Sequence, residues 1–282
     1  MLPYTSRRDF LKLAGAGAMG HLLVPARRLQ FDSLVIDAPR DESGADLSGW
    51  TVVLGDGVYA APGEAPVTID DIATVHDGAA SELRANILRR RIMAHNITYR
   101  RIRDSSAFDF THLFECAFRL PYLPAIGNED ENAQTFEGGL FIWDGVTTRL
   151  DYGLAFQWGL NPWERFGEMR CWTDSSDEHW QPVGQLQPDT AWHQLQLILD
   201  FQRQATGFAI DGRRFPSQFV AIPKSDTWGA AISAGVQLEV ISIYPGESGA
   251  GAQHRAQVKD WRWQWIDADS YVYQTHLPFI GN

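Results

Sequence analysis

The chain has 282 residues, a formal net charge of −11 and an aromatic content of 12%, including 11 Trp. This length can bury a sizeable core as one large domain or two smaller ones. An acidic protein lacks the cationic surface that neutralises phosphates, which argues against nucleic acid and anionic lipid as partners. Ordinary solubility is the simplest role of this charge, and a neutral or cationic ligand is compatible with it.

The first 26 residues have the features of an export signal. The sequence TSRRDFLK places Arg7 and Arg8 just before Phe10 and Leu11, and a short Gly/Ala/Leu segment follows. This pattern resembles a twin-arginine signal peptide, which implies export by the twin-arginine translocase to the periplasm or the exterior. The apolar segment is too short and too weakly apolar for a stable membrane span, and no later run is longer. An amphipathic helix is the alternative, and the signal could be cleaved or retained.

The predicted domain begins at residue 46, after a linker at 27–45, and ends at 267 before a tail at 268–282. Its opening sequence, DLSGWTVVLGDGVYA, alternates Trp50, Val52 and Leu54 and then turns at Gly55 to Gly57. This period of two predicts a hairpin with one buried face.

Residues 62–111 are the least regular part of the chain. The spacing of Leu83, Ile87 and Met93 is near that of a helix. The same region is rich in arginine, which predicts either an anion site for acidic sugars or a solvated face paired with the acidic body. The arginines are Arg84, Arg89, Arg90, Arg91, Arg100, Arg101 and Arg103.

From Thr111 onward the strand signal is steady. In QLQLILD, Leu195, Leu197 and Leu199 alternate with polar residues, and the next run ends at the turn dipeptide Asp211-Gly212. At least nine such runs occur at intervals of roughly 8–20 residues, with no βαβ rhythm. The sequence therefore predicts an all-β fold, a two-sheet antiparallel β-sandwich.

Cys116 and Cys171 both lie in strand-like runs. Two cysteines cannot form a zinc site by themselves. They could pair in an exported protein, but twin-arginine substrates usually fold before export, so we predict two buried free thiols.

Three features resemble the concanavalin A-like lectin/glucanase superfamily, and laminin-G-like modules in particular. They are the opening GWTV…GDGVY, the pair Trp192-His193 that leads into LQLILD and IDG, and the closing strand VKDWRW. The resemblance implies a jelly roll whose concave face often binds or cleaves sugars. It also implies a structural Ca²⁺ near the first and last strands, for which Asp46 and Asp260 are candidate ligands.

The catalytic motifs of that superfamily are absent. No strand carries the alternating carboxylates of the glucanases, no strand carries the Q-x-H of alginate lyases, and Glu137 and Asp144 lie at opposite ends of one strand. A phosphate-binding loop, H-E-x-x-H and G-x-S-x-G are also absent.

The best candidate is a face that carries side chains suited to sugar hydroxyls and rings. If Phe156 and Met169 point to the core, four residues share the opposite face, and two from a neighbouring strand could join them. The candidate ligand-binding residues are Gln157, Glu168, Arg170, Trp172, Glu115 and Arg119. The alternative is that they form a solvated outer face.

Three functions remain open from the sequence. The first is a lectin-like module that binds carbohydrate. The second is a glycoside hydrolase or lyase with carboxylates from separate strands, such as Glu115 and Glu168. The third is a surface interaction protein that binds no sugar.

Overall fold

The computed structural model describes residues 40–55, 59–60, 67–85, 92–125, 133–143, 153–161, 165–173, 179–218, 233–243 and 254–267. All of them belong to one compact unit, Ala38–Asn282. The predicted export signal at 1–26, the tail at 268–282 and most of the linker lie outside the described residues.

The described residues form strands and two short 3₁₀ turns, Ile69–Asp71 and Ser105–Asp109, with no α-helix among them. None of the helical segments described is long and apolar enough to cross a membrane. In chain order the strands are β1 (Asp41–Gly44), β2 (Thr51–Leu54), β3 (Tyr59–Ala60), β4 (Ile72–His76), β5 (Ser81–Ala85), β6 (Ile92–Arg103), β7 (Phe110–Arg119), β8 (Ala133–Trp143), β9 (Gly153–Leu160), β10 (Glu168–Trp172), β11 (Trp180–Gln185), β12 (His193–Asp200), β13 (Ala205–Ile210), β14 (Arg213–Phe215), β15 (Ser233–Ile243) and β16 (His254–Asp267).

The strands form two antiparallel sheets. Sheet A has the order β14-β13-β12-β7-β16-β5-β4, with β1 also paired to β16. Sheet B has the order β11-β10-β9-β8-β15-β6-β2, with β3 also paired to β6. The chain changes sheet repeatedly, for example from β7 to β8 and from β11 to β12, as in a jelly roll.

One hydrophobic core lies between the sheets. Phe118 of sheet A stacks on Phe136 of sheet B with ring centroids 4.5 Å apart, and Phe208 stacks on Phe156 at 5.2 Å. Fully burying an aromatic side chain of this kind contributes about 1.5–3 kcal/mol. The predicted all-β, two-sheet antiparallel β-sandwich is confirmed.

The alternating runs fold as the sequence predicts. Leu195, Leu197 and Leu199 of β12 are buried in the core. Asp211 and Gly212 join β13 to β14 with φ values of +52° and +72°. Both central residues of a type I′ turn need positive φ, which explains the Asp-Gly dipeptide at this position.

The helix predicted near residues 83–93 is wrong, because residues 81–85 and 92–103 are strands β5 and β6. Ser81, Leu83 and Ala85 alternate toward the core with a period of two, while Glu82 and Arg84 face outward. Residues 86–91, which the helical spacing needed, lie outside the described residues.

The sandwich also begins earlier than predicted. Strand β1, which falls within the predicted linker at 27–45, pairs with β16 from Asp41 opposite Gln264 to Gly44 opposite Trp261. The sequence DESG has no apolar alternation, so only its partner strand identifies it as part of the sheet.

Candidate ligand-binding face

The outer surface of sheet B, on the side away from the core, carries a line of polar side chains. In β9, for example, Phe156 and Trp158 face the core, so Gln157 between them faces outward. The same alternation in four other strands of sheet B places one polar residue from each strand on this outer face, in line with Gln157. We call these five residues the polar row: Arg170 (β10), Gln157 (β9), Glu137 (β8), Glu239 (β15) and His95 (β6).

Strand register aligns the row. Arg170 lies directly opposite Gln157, Gln157 opposite Glu137, and Glu137 opposite Glu239. His95 lies opposite Ile241, two residues from Glu239, which is the diagonal position that a long side chain can bridge.

Hydrogen bonds connect the members of the row. Gln157 Nε2 donates to Glu137 Oε2 at 2.6 Å. His95 Nδ1 contacts Glu239 Oε1, and Gln237 Nε2 donates to Glu239 Oε2 at 2.8 Å. The members of the row are therefore hydrogen-bonded in two groups, Gln157 with Glu137 and His95 with Glu239 and Gln237, rather than being independent surface groups.

Three of the five side chains of the row are buried, and the other two, Glu137 and His95, are partly buried. Gln157 is 2% exposed, Glu239 3% and Arg170 9%. Burying a charge is costly unless it is paired and hydrogen-bonded, and Arg170 accordingly donates from Nε to Glu168 Oε1 at 2.7 Å. The burial argues against the alternative of a solvated outer face.

Two buried atoms of the side chains that contact Glu239 have no hydrogen-bond partner among the described residues. They are Gln237 Oε1 and His95 Nε2. An unpaired buried polar group costs about 1–3 kcal/mol, so such atoms call for a further partner. Gln237 and His95 each contact Glu239 through their other polar atom. The two atoms that lack a partner therefore lie beside Glu239, within the polar row.

Aromatic side chains lie at the edge of the same face. Trp172 of β10 lies opposite Trp180 of β11, with ring centroids 5.2 Å apart and planes at 79° to each other in an edge-to-face contact. His179 stacks on Trp172 at 4.5 Å. Trp172 is two residues from Arg170 on the same strand, so both side chains lie on the side of the sheet that carries the polar row.

Of the six residues predicted to bind ligand, the structure brings four together on sheet B and leaves two apart. Glu115 and Arg119 belong to β7 of sheet A, on the far side of the core. Glu115 accepts a hydrogen bond from Gln196 at 2.7 Å, and Arg119 donates to Gln257 at 2.6 Å. Glu115 and Glu168 therefore cannot act as a carboxylate pair, because the two sheets separate them.

The sequence reasoning missed Glu137, Glu239, Gln237 and His95. A signal was present in two strands, since Phe136 and Leu140 flank Glu137 at core positions, and Val236, Leu238 and Val240 alternate with Gln237 and Glu239. Polar residues at every second position of an otherwise apolar strand indicate that one face of the strand packs in the core and the other is polar. The spacing of one strand does not show, however, that β8 and β15 are neighbours.

The arginine-rich region does not form one anion site among the described residues. Arg84 pairs with Glu82, and Arg100 pairs with Glu42. Arg101 lies over the ring of Tyr99. The residues Arg89 to Arg91 lie outside the described residues.

The candidate calcium ligands meet where the first and last strands of the sandwich adjoin. The Asp46 carboxylate accepts a hydrogen bond from Ser48 N at 2.9 Å, and the Asp260 carboxylate pairs with Lys259 at 3.2 Å. No group of three or more His, Cys, Asp or Glu side chains within the described residues could hold a metal ion. The residues present do not fit a calcium site built on Asp46 and Asp260.

Cys116 and Cys171 are buried free thiols on different sheets. Burial raises the pKa of the Cys171 thiol to about 11 and raises the pKa of Cys116 further. Neither forms the thiolate that nucleophilic chemistry needs near neutral pH.

Comparison with known proteins gives resemblance only at the level of solved structures. No protein family profile matches the chain, and no curated protein matches it by sequence. The winged bean acidic lectin complexed with methyl-α-D-galactose is 10% identical with a TM-score of 0.46, covering 81% of this chain and 99% of the lectin.

Two further structures resemble the chain to a lower degree. A carbohydrate esterase from the Shiga toxin-encoding bacteriophage phi24B is 11% identical with a TM-score of 0.40, covering 78% of this chain and 92% of the esterase. An alginate lyase of polysaccharide lyase family 7 is 8% identical with a TM-score of 0.37, covering 73% of this chain and 84% of the lyase. Likeness at this identity carries no information about the ligand of this chain.

Proposed function

We propose that this protein binds carbohydrate across the polar row on the outer face of sheet B. The observation that carries the proposal is the row itself: guanidinium, amide and carboxylate groups in direct register across four adjacent strands, with an imidazole at the diagonal position of the fifth. Sugar hydroxyls need donors and acceptors that are fixed in direction, and buried, mutually bonded side chains supply them.

The dimensions favour an oligosaccharide or polysaccharide chain. Four strand spacings separate β10 from β6, which is about 19 Å at the usual distance between neighbouring strands. Trp172 and Trp180 lie beyond Arg170 at one end of this line. An indole presents an apolar plate to the C–H face of a sugar ring, so this end suits a stacked sugar.

A flat, apolar face would favour a protein that binds no sugar. The observed face instead carries two glutamates and a histidine at its centre, where a protein–protein interface is usually depleted of charge. The same carboxylates repel phosphates, in keeping with the acidic composition.

The test compares two Gln→Leu variants. Gln157→Leu removes the amide that bonds Glu137, whereas the control Gln196→Leu removes an equivalent amide that bonds Glu115 on the outer face of sheet A. The full chain and both variants are screened on a glycan array, and hits are measured by calorimetry.

Loss of a hydrogen bond to a buried carboxylate weakens binding by about 1.5–3 kcal/mol, or roughly tenfold to a hundredfold. We expect this loss for Gln157→Leu and wild-type affinity for Gln196→Leu. Equal loss in both variants, or no glycan bound by the wild-type chain, would contradict the proposal.

Export by the twin-arginine pathway is part of the same proposal. It is supported by Arg7, Arg8, Phe10 and Leu11 in the TSRRDFLK sequence. Replacing both arginines by lysine keeps the charge and removes the paired guanidinium groups. In a bacterial host we expect the wild-type chain in the periplasm or medium and the double variant in the cytoplasm, and equal export of both would refute this route.

A further inference from the structure

The Glu239–His95 contact in the polar row has the form of an acid–base dyad. We infer that His95 is the general base of a hydrolytic centre that cleaves the bound saccharide, with Glu239 as its positioning residue and Glu137 as the acid. This inference rests on the proposed binding function, because the centre lies in the middle of the same row.

The dyad fixes which nitrogen of His95 is basic. An ionised carboxylate has only acceptors, so Nδ1 donates its proton to Glu239 Oε1 and the lone pair is on Nε2. Gln237 holds the second oxygen of Glu239 at 2.8 Å, which prevents the carboxylate from rotating away. A buried carboxylate in this position also stabilises the imidazolium that forms when Nε2 takes a proton.

Two further atoms point to a ligand at the dyad. His95 Nε2 is buried and has no partner among the described residues, which leaves its lone pair available for a proton. Gln237 is only 6% exposed, and its Oε1 also has no partner there. A substrate hydroxyl or an attacking water would satisfy both atoms.

The strand order separates the base from the acid. Glu137 and Glu239 lie directly opposite each other, so their Cβ atoms are about 4.5–5.5 Å apart and leave little room for a water between them. His95 lies two strands from Glu137, about 9.6 Å across the sheet, and is displaced along β6 to the position diagonal to Glu239. Single-step glycoside hydrolysis needs roughly 6.5–9.5 Å between base and acid to admit the water, so a residue two strands from the acid suits the base better than the directly opposed Glu239.

The reaction balances with water as the only co-reactant. His95 Nε2 takes one proton from water as the water oxygen bonds to the anomeric carbon. The glycosidic C–O bond breaks, and the leaving oxygen takes a proton from Glu137. Glu137 enters this step as the carboxylic acid and leaves it as the carboxylate, and the proton taken up by His95 restores the acid through solvent. Because water attacks opposite to the leaving group, the anomeric configuration inverts.

The experiment uses a mixed-linkage glucan, xylan, a galactan and alginate, together with any polysaccharide found on the array. Cleavage of each bound polysaccharide is followed by new reducing ends, and product configuration by proton NMR. The variants are His95→Ala, Glu239→Gln and Glu137→Gln. The matched control is Glu115→Gln, since Glu115 is hydrogen-bonded by Gln196 on the outer face of sheet A.

We expect wild-type cleavage with inversion and unchanged activity in Glu115→Gln. His95→Ala and Glu137→Gln should each lower kcat about a hundredfold to ten-thousandfold. Added imidazole should restore part of the activity of His95→Ala only. Glu239→Gln should lower kcat without changing KM, because it removes the negative charge beside the imidazolium that forms on His95 rather than a substrate contact.

Several outcomes overturn the inference while leaving sugar binding intact. One is a wild-type chain that binds a polysaccharide without cleaving it. Others are products that retain configuration, which would make a carboxylate the nucleophile, and products with an unsaturated sugar end, which would indicate elimination. The configuration of the products of the wild-type chain distinguishes these mechanisms even if a variant fails to fold. Absence of any binding would instead refute the proposed function and this inference together.

Discussion

His254 is a fully buried histidine on the core side of its strand. It begins β16 opposite Ala85, is 0% exposed, and neither ring nitrogen has a hydrogen-bond partner among the described residues. Burial lowers its pKa to about 3, because the imidazolium would lose its hydration without gaining a partner. We predict that His254→Met, which fills a similar volume without polar atoms, stabilises the fold.

The gain in unfolding free energy expected for His254→Met has one part that is independent of pH and one part that depends on pH. Removing an unpaired buried polar group is worth about 1–3 kcal/mol, and we take the low end, about 1 kcal/mol, because methionine differs in shape. In the unfolded chain the pKa of a histidine is about 6.5. Since the folded pKa is lower, protonation favours unfolding, and stability falls by about 1.4 kcal/mol per pH unit between pH 6.5 and 3.

The variant should therefore gain about 1 kcal/mol at pH 7 and about 3 kcal/mol at pH 5. The assay is denaturant unfolding of the full chain, followed by tryptophan fluorescence from pH 5 to pH 8. His193→Met is the matched control, because the Nδ1 and Nε2 atoms of His193 contact Asp211 at 2.6 Å and Asp189 at 3.1 Å. The same substitution there removes satisfied contacts and should destabilise the fold at pH 7.

The reasoning about His254 fails if His254→Met is less stable than the wild type at pH 7. It also fails if the difference between the two proteins is the same at pH 5 and pH 7, since the buried imidazole would then not be the group that binds the proton on unfolding.

Two other features yield predictions. Gly153 has φ of +117°, and a Cβ there would lie 2.2 Å from the carbonyl oxygen of Leu140. Gly153→Ala should therefore cost about 3 kcal/mol of unfolding free energy in the same assay, and wild-type stability would contradict the strand geometry. Burial raises the pKa of both cysteine thiols, so Cys116 and Cys171 should resist a thiol reagent in the native chain and both react after denaturation. A mass two hydrogens lower than that of the reduced chain would show a disulfide instead.

The alternation of side chains made the fold predictable. Leu195, Leu197 and Leu199 are buried because a strand turns successive side chains to opposite faces, and this period is visible in one stretch of sequence. The turn at Asp211-Gly212 was predictable for the same local reason, since its backbone needs residues that tolerate positive φ. The same reasoning failed at residues 83–93, where the helical spacing joined residues of two separate strands, β5 and β6.

The sequence by itself determined the acidic composition, the alternating strands from Thr111 onward, the turn at Asp211-Gly212 and the outward direction of Gln157, Glu168, Arg170 and Trp172. Only the tertiary structure decided which strands are neighbours. Strand β8 pairs with β15 across about a hundred residues of chain, which brings Glu137 beside Glu239, while β7 joins the other sheet and takes Glu115 to the far side of the core. Local periodicity sets the face that a side chain occupies on its strand, but long-range pairing, driven by burial of the common core, sets the residues that it meets there.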